Sequence, residues 1–225
     1  MTDREALKQK VLDFIHQQDP TALISETDKQ ALRDLIEQLV PHTPIPDPIH
    51  QQEQAAGVWV SLFASFGAKH SDDQPLEHTT NLAVLSFGNL PAATVHTTAI
   101  HQEIDAASKA YNNVIYIDNE ERSAHAVLVV HGTYSADQEN PQRYSVAFTG
   151  VSLHGADGQS DDELREQFSL EPDAPLKKAF KPPALHSDIV YLDEDLRINF
   201  GGLKGFYVLL RAERPAFSLA LSAAA

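Results

Sequence analysis

Residues 188–201 (Asp-Ile-Val-Tyr-Leu-Asp-Glu-Asp-Leu-Arg-Ile-Asn-Phe-Gly) set two strand-like apolar runs on either side of an acidic corner, and Gly205 to Leu210 leads into a third. Apolar runs bounded by polar, turn-forming residues read as strands. Arg197 falls inside the second run, between Leu196 and Ile198, so this strand must place a guanidinium among apolar neighbours. A closing β-barrel can use such a residue; a generic surface loop has no need of it. Of Asp193, Glu194 and Asp195, only the first and last share a face on an extended chain, and no histidine or third carboxylate stands beside them to complete an oxygen-ligated ion site. The corner is therefore expected to be a turn, with Asp193 accepting backbone N–H groups and Arg197 paired to one of the carboxylates.

Much of the chain after Gly57 follows the same pattern. Residues 58–66 carry apolar groups on both alternating faces, as in a strand covered on both sides. Further strands are expected at 82–87, 95–104, 113–117, 125–134, 143–151, near Ile189, and at 196–200 and 206–211. Short strands separated by Gly, Pro, Asn and Asp clusters favour an antiparallel barrel or sandwich over a βαβ fold. Gly201 to Gly205 joins two strands, which makes it a hairpin and not a phosphate-binding loop.

Ahead of the strands, Leu7, Val11, Leu12, Phe14 and Ile15 recur at helical spacing, and Asp19-Pro20 ends that helix. Ser25 or Thr27 can cap a second helix, whose apolar face is Leu32, Leu35, Ile36, Leu39 and Val40. Pro41, Pro44, Pro46 and Pro48 then hold the backbone extended, as in a stiff linker. Residues 155–183 are acidic, then proline-rich and basic, with one helical stretch at 161–168; a segment this long reads as a loop or lid. The expected organisation is a helical segment with its connector at 1–48 and a barrel domain at 49–225 that contains the long loop 155–183.

With 225 residues and no cysteine, the chain can bury a core without disulfides, and thiolate metal sites and cysteine nucleophiles are excluded. A formal charge of -15 opposes nucleic-acid binding, which needs clustered cations to displace counterions. Lys177, Lys178, Lys181, Arg211 and Arg214 could still form a small basic surface. No apolar run approaches the roughly 20 residues of a membrane-crossing helix, and the acidic start resembles neither a signal nor a transit peptide, so the expectation is a cytoplasmic location, free or peripheral to a membrane, with a mature organellar protein that has shed its presequence as the alternative. Gly-x-Ser-x-Gly is absent, and none of the 11 histidines falls at a metal-binding spacing. His125 and His131 share a strand face but stand about 20 Å apart, and His96 and His101 would face opposite ways on a regular strand. Neither a catalytic group, a metal nor a cofactor is expected.

Taken in order, these residues resemble the plastid lipid-associated protein (PAP) or fibrillin family, also called plastoglobulins. The resemblance runs nearly end to end: the two helices, the proline connector before Gly57-Val58-Trp59, Ile100-His101-Gln102-Glu103-Ile104-Asp105, Asn113-Val114, Arg143 to Phe148, and Tyr191 to Ile198. It implies a lipocalin-like antiparallel barrel of about eight strands that binds or accompanies hydrophobic molecules such as prenylquinones, carotenoids or other lipids, at membranes and lipid particles, without catalysis. The chain departs from the plant pattern in lacking a transit segment, in reading Leu62-Phe63-Ala64-Ser65 where members show a tyrosine and small hydroxyl residues, and in its histidines. Those departures suggest a bacterial member.

The Gly-x-Trp at Trp59 also looks like a lipocalin motif, in which an indole closes the floor of the barrel beneath a guanidinium, either Arg197 or Arg211. The expected interior includes Trp59, Phe63, Leu128, Val130, Tyr144, Val146, Phe148, Phe206 and Val208, although alternation alone does not say which set points inward. The candidate ligand contacts are Trp59, Phe63, Gln102, Asp105, Asn113, Phe148, Arg197 and Phe206, the polar ones orienting a head group in a mostly apolar pocket. Two rivals stay open: a barrel filled by its own side chains, acting as an interaction scaffold at a membrane periphery or on a protein, and an enzyme using scattered His and Asp residues.

Overall fold

The computed structural model describes residues 2–65, 73–155, 158–181, 185–202, 204–213 and 217. Phe66, Pro183, Leu203 and Arg214 lie outside the described residues. Eight strands close an antiparallel barrel: β1 (Gly57–Ser65), β3 (Thr94–Asp105), β4 (Ala110–Asn119), β5 (His125–Ala136), β6 (Arg143–Gly155), β8 (Leu185–Leu192), β9 (Leu196–Gly201) and β10 (Phe206–Ala212). They follow one another around the ring in that order, and β1 seals it by pairing with both β3 and β10. Two short strands supplement the wall where the ring partners diverge. β2 (Thr79–Asn81) pairs with the first part of β3, and β7 (Lys177–Ala179) with the last part of β6.

Two helices cover one outer side. A capping box between Thr2 and Glu5 starts α1 (Asp3–His16), and the Ser25 hydroxyl caps α2 (Glu26–Leu39). Val11, Ile15, Leu32, Ile36 and Leu39 pack on the outer face of β1, β8, β9 and β10, against Phe63, Val190, Tyr191, Leu196, Ile198, Phe206 and Val208. This second core corrects the expected interior: Phe63, Phe206 and Val208 face the helices. Bulges explain why period-two counting fails. The register of β1 slips between Ser61 and Phe63, so Trp59 and Ser61 point inward while Phe63 points out. Phe206 and Val208 pair with Phe200 and Ile198 on the helix side, leaving Tyr207 and Leu209 inside. A slip between Thr97 and Ala99 in β3 likewise brings His96 and His101 to the same outer face, against the expectation for a regular strand.

Segments that look like connectors seal the barrel ends. Ile45 and Ile49 from the proline-rich stretch join the inner core, Ile49 N–H donates to Pro141 O, and α3 (Gln52–Ala55) lies beside them. The expected linker is thus a packed floor. At the other end, residues 82–87 are not a strand: Asn81 caps the single-turn helix α4 (Leu82–Leu85), and Phe87 follows with a left-handed φ of 55°. The long loop holds α5 (Asp161–Gln167), started by a Ser160–Glu163 capping box, and its Leu164, Phe168, Leu170, Ala174 and Leu176 are buried in the inner core. It is a plug whose apolar side chains close the mouth.

Candidate functional site on the barrel floor

The inner wall above α3 carries one polar constellation. Register pairs Trp59 with Gln102 and Gln102 with Asn113, which brings three candidates on separate strands side by side. Arg197 projects from β9 over the Trp59 ring, with its guanidinium carbon 4.8 Å from the ring centroid, and it exposes 0% of its surface. Its Nη2 donates to Gln102 Oε1, which also accepts from the Tyr111 hydroxyl at 3.0 Å. Nε and Nη1 of Arg197 have no hydrogen-bond partner among the described residues, nor do Asn113 Oδ1 and Asn199 Oδ1.

The expected pairing of Arg197 with an acidic-corner carboxylate is therefore corrected. Arg197 alternates into the barrel, while the corner lies outside it. Asp193 does form the expected turn, accepting from the N–H groups of Asp195 (3.1 Å) and Leu196 (2.8 Å). Its cation is Lys8 of α1, at 2.8 Å, and Tyr191 donates a further bond at 2.6 Å. Burial alone would raise the Asp193 pKa; these hydrogen bonds and the ammonium overwhelm that effect and hold it far below the usual carboxylate range.

Burial lowers the Arg197 pKa to about 10, so the group keeps its proton at neutral pH. Burial also raises the pKa values of Tyr111 and Tyr144, which leaves both neighbouring phenols neutral. A desolvated charge without a counter-ion costs several kcal/mol. A guanidinium over an indole recovers about 0.5 to 2 kcal/mol of that. Arg211 sits at the same ring, 4.2 Å from its centroid, and has a different task. Its three nitrogens donate to the carbonyls of Glu194 (2.6 Å), Ala56 (2.7 Å) and Gln54 (2.6 Å), which ties the corner to the floor helix. Gly57 makes room for it: its φ is +119°, and a Cβ there would lie 2.8 Å from Arg211 Nη1.

Four of the eight candidates thus meet on the floor: Trp59, Gln102, Asn113 and Arg197. Phe148 is also inside but toward the mouth, stacked at 5.9 Å on Phe87. Asp105 is outside the constellation, at the last residue of β3, where its Oδ1 accepts from Ser108 N–H at 2.6 Å and the Ser108 hydroxyl at 2.7 Å. Tyr111 and Asn199 were missed. Tyr111 shares parity with Asn113 on β4, a signal visible only once the register is known. Among the described residues no cluster of His, Asp and Glu is arranged to hold a metal ion. His131 and His154 do meet through Ser152 on the outer face, at 2.6 and 2.7 Å, and burial lowers both imidazole pKa values.

The PAP_fibrillin family model matches residues 5–210. The chain belongs to the PAP_fibrillin family. It is 26% identical over 242 residues to a protein of Oryza sativa subsp. japonica described as probable plastid-lipid-associated protein 3, chloroplastic. That alignment takes in 94% of this chain and 60% of the rice protein, so the chain spans less than two thirds of that relative. No solved structure is significantly similar to the chain.

Proposed function

We propose that this PAP_fibrillin protein binds or carries a hydrophobic small molecule of lipid type without catalysing a reaction on it. The observation that carries the reading is the way the mouth is closed. Apart from the floor constellation the inner wall is largely apolar, and the mouth is stopped by a separate segment inserted between strands, whose Leu164, Phe168, Leu170, Ala174 and Leu176 occupy the space a guest would take. Replacing them with ligand exchanges one set of apolar contacts for another, and removal of ligand surface from water supplies about 25 cal/mol per Å² before ordering costs. The rival scaffold reading is favoured by the complete burial of Leu128, Tyr144, Leu192 and Leu209. Native mass spectrometry of the full chain after incubation with a total lipid extract decides between them. A retained, solvent-extractable species is expected; an unliganded mass across repeated extracts refutes carriage.

Contact with a lipid surface is a second reading, favoured by exposed apolar groups at the mouth. Val84 is 70% and Phe87 57% exposed, and Phe87 packs 6.0 Å from Phe180, which follows the exposed Lys177 and Lys178 and precedes Lys181. Aromatic and aliphatic tips beside cations suit an anionic interface. Among the described residues no helix is long and apolar enough to cross a membrane, so the contact would be peripheral. The double variant Val84→Ser, Phe87→Ser should lose co-flotation with anionic vesicles; flotation equal to that of the unaltered chain, or no flotation of either, rejects this surface.

A further inference from the structure

We infer that the barrel floor is an acid-binding subsite, in which Arg197 receives the carboxylate head of a single-chain hydrophobic acid whose tail runs along the apolar wall. The inference rests on the ligand-binding reading above and adds the chemistry of the head group. Arg197 is a permanent cation with 0% exposure, and among the described residues it meets no carboxylate. Buried charges in native proteins are paired or coordinated. Here the pair is half built: Nη2 is held by Gln102, which fixes the plane of the guanidinium, while Nε and Nη1 keep N–H groups with no acceptor.

Head groups of other chemistry fit less well. A neutral carbonyl could accept one of those hydrogens but would leave the charge uncompensated. A phosphate monoester would bring close to two negative charges to one available cation, because the neighbouring Arg211 is committed to three backbone carbonyls. A carboxylate matches the single charge. Asn113 Oδ1 and Asn199 Oδ1 are acceptors without donors, so they do not compete for the acid and would suit a hydroxyl on its chain. Leu192 and Leu209, the strand partners of Arg197, and Ile189 beyond them begin the apolar track for a tail. Because Arg197 exposes no surface, binding must displace packed side chains, and association is expected to be far slower than diffusion.

Trp59 is the chain's one tryptophan and lies against Arg197, so its fluorescence reports occupancy of the floor. The purified full chain is titrated with palmitate and with methyl palmitate, both below their aggregation concentrations. Palmitate should bind at least about tenfold more tightly, the equivalent of one paired charge. Gln102→Glu places an internal carboxylate at the position Arg197 already contacts; it should keep or raise Tm and abolish the preference for acid over ester. Arg197→Met should abolish it as well. Equal affinity for acid and ester overturns the acid subsite while leaving the hydrophobic-binding reading intact. Failure of both probes to bind overturns both readings. A preference that survives Gln102→Glu overturns the assignment to Arg197.

Discussion

Trp59→Ala tests the floor most directly. The indole is fully buried between the inner strands and α3, and truncation of a buried aromatic side chain to alanine costs about 3 to 5 kcal/mol in packing alone. The indole N–H also donates to Ala55 O at 2.9 Å, a bond worth about 1 kcal/mol, and its loss leaves that carbonyl unpaired. Two guanidinium groups lie 4.8 and 4.2 Å from the ring, and the desolvated Arg197 contact belongs at the upper end of the roughly 0.5 to 2 kcal/mol range. These contributions overlap, so the expected loss is about 5 kcal/mol, comparable with the whole stability of many domains. Trp59→Phe keeps a ring under Arg197 and gives up the N–H bond and part of the volume, for a loss of about 1 to 2 kcal/mol. Urea unfolding followed by far-UV circular dichroism measures both variants, since the fluorophore is removed with the side chain. A loss below about 1 kcal/mol for Trp59→Ala would take the indole out of the core. Equal losses for the two variants would show that the ring contributes nothing to holding the cation.

Gly57→Ala should cost about 1 to 3 kcal/mol, because the residue combines a left-handed φ with the close approach of Arg211; an unchanged Tm would refute that account. Asp193→Asn should lower stability by about 2 to 4 kcal/mol at pH 7, since it breaks a mostly buried pair with Lys8. The Asp193 pKa is depressed in the folded state, so its contribution is complete above the unfolded carboxylate value near 4 and disappears as pH falls through the folded value. The variant should therefore show a shallower loss of stability below about pH 4 in acid titrations, and an identical slope rules the linkage out. Phe63→Ala removes a ring stacked 4.9 Å from Phe206 beneath the helices and should cost about 3 to 5 kcal/mol while leaving palmitate affinity unchanged; altered affinity would place it in the site after all.

The barrel was legible because turn chemistry and β pattern agree at almost every corner, the acidic one included, where Asp193 bonds the backbone as a turn residue should. The helices were equally plain, and of the two caps the sequence offers for the second, Ser25 and Thr27, Ser25 takes the position. What the residues alone do not reveal is facing. β1 and β10 are apolar on both sides, one side meeting the helices and the other the interior, and β9 turns its apolar Leu196 and Ile198 to the helices and its polar Arg197 and Asn199 inward, so alternation carries no label for inside. Bulges at Leu62 and Thr98 then shift the parity partway along a strand. Polar residues escape this ambiguity. Gln102, Asn113 and Arg197 stand out in apolar surroundings whichever register holds and come together on the floor, whereas Asp105 falls at a strand end and Phe63 and Phe206 face the helices. The floor and the plug were hidden for another reason: prolines and charges describe how a segment is built, not where it packs.

The two cores divide the physical work. Helix-facing residues pack Val, Leu, Ile and Phe, with the Arg33 guanidinium lying 4.8 Å over the Phe200 ring, and Lys8 binds that layer to the acidic corner from outside. The inner core, by contrast, tolerates a cation with two idle donors and two amide oxygens without partners. Each such group costs about 1 to 3 kcal/mol, which a fold under selection for stability alone would remove, since Met in place of Arg197 keeps much of the volume without the charge. Its position over the sole tryptophan, in register with Gln102 and beneath a mouth closed by a separate segment, links that cost to occupancy. The state described is then the closed one, strained at the floor, and a ligand that supplies an acceptor to Arg197 should raise Tm by an amount that grows with ligand concentration as RT ln(1 + [L]/Kd). A Tm that palmitate leaves unmoved at saturating concentration would mean that the unpaired guanidinium is merely tolerated.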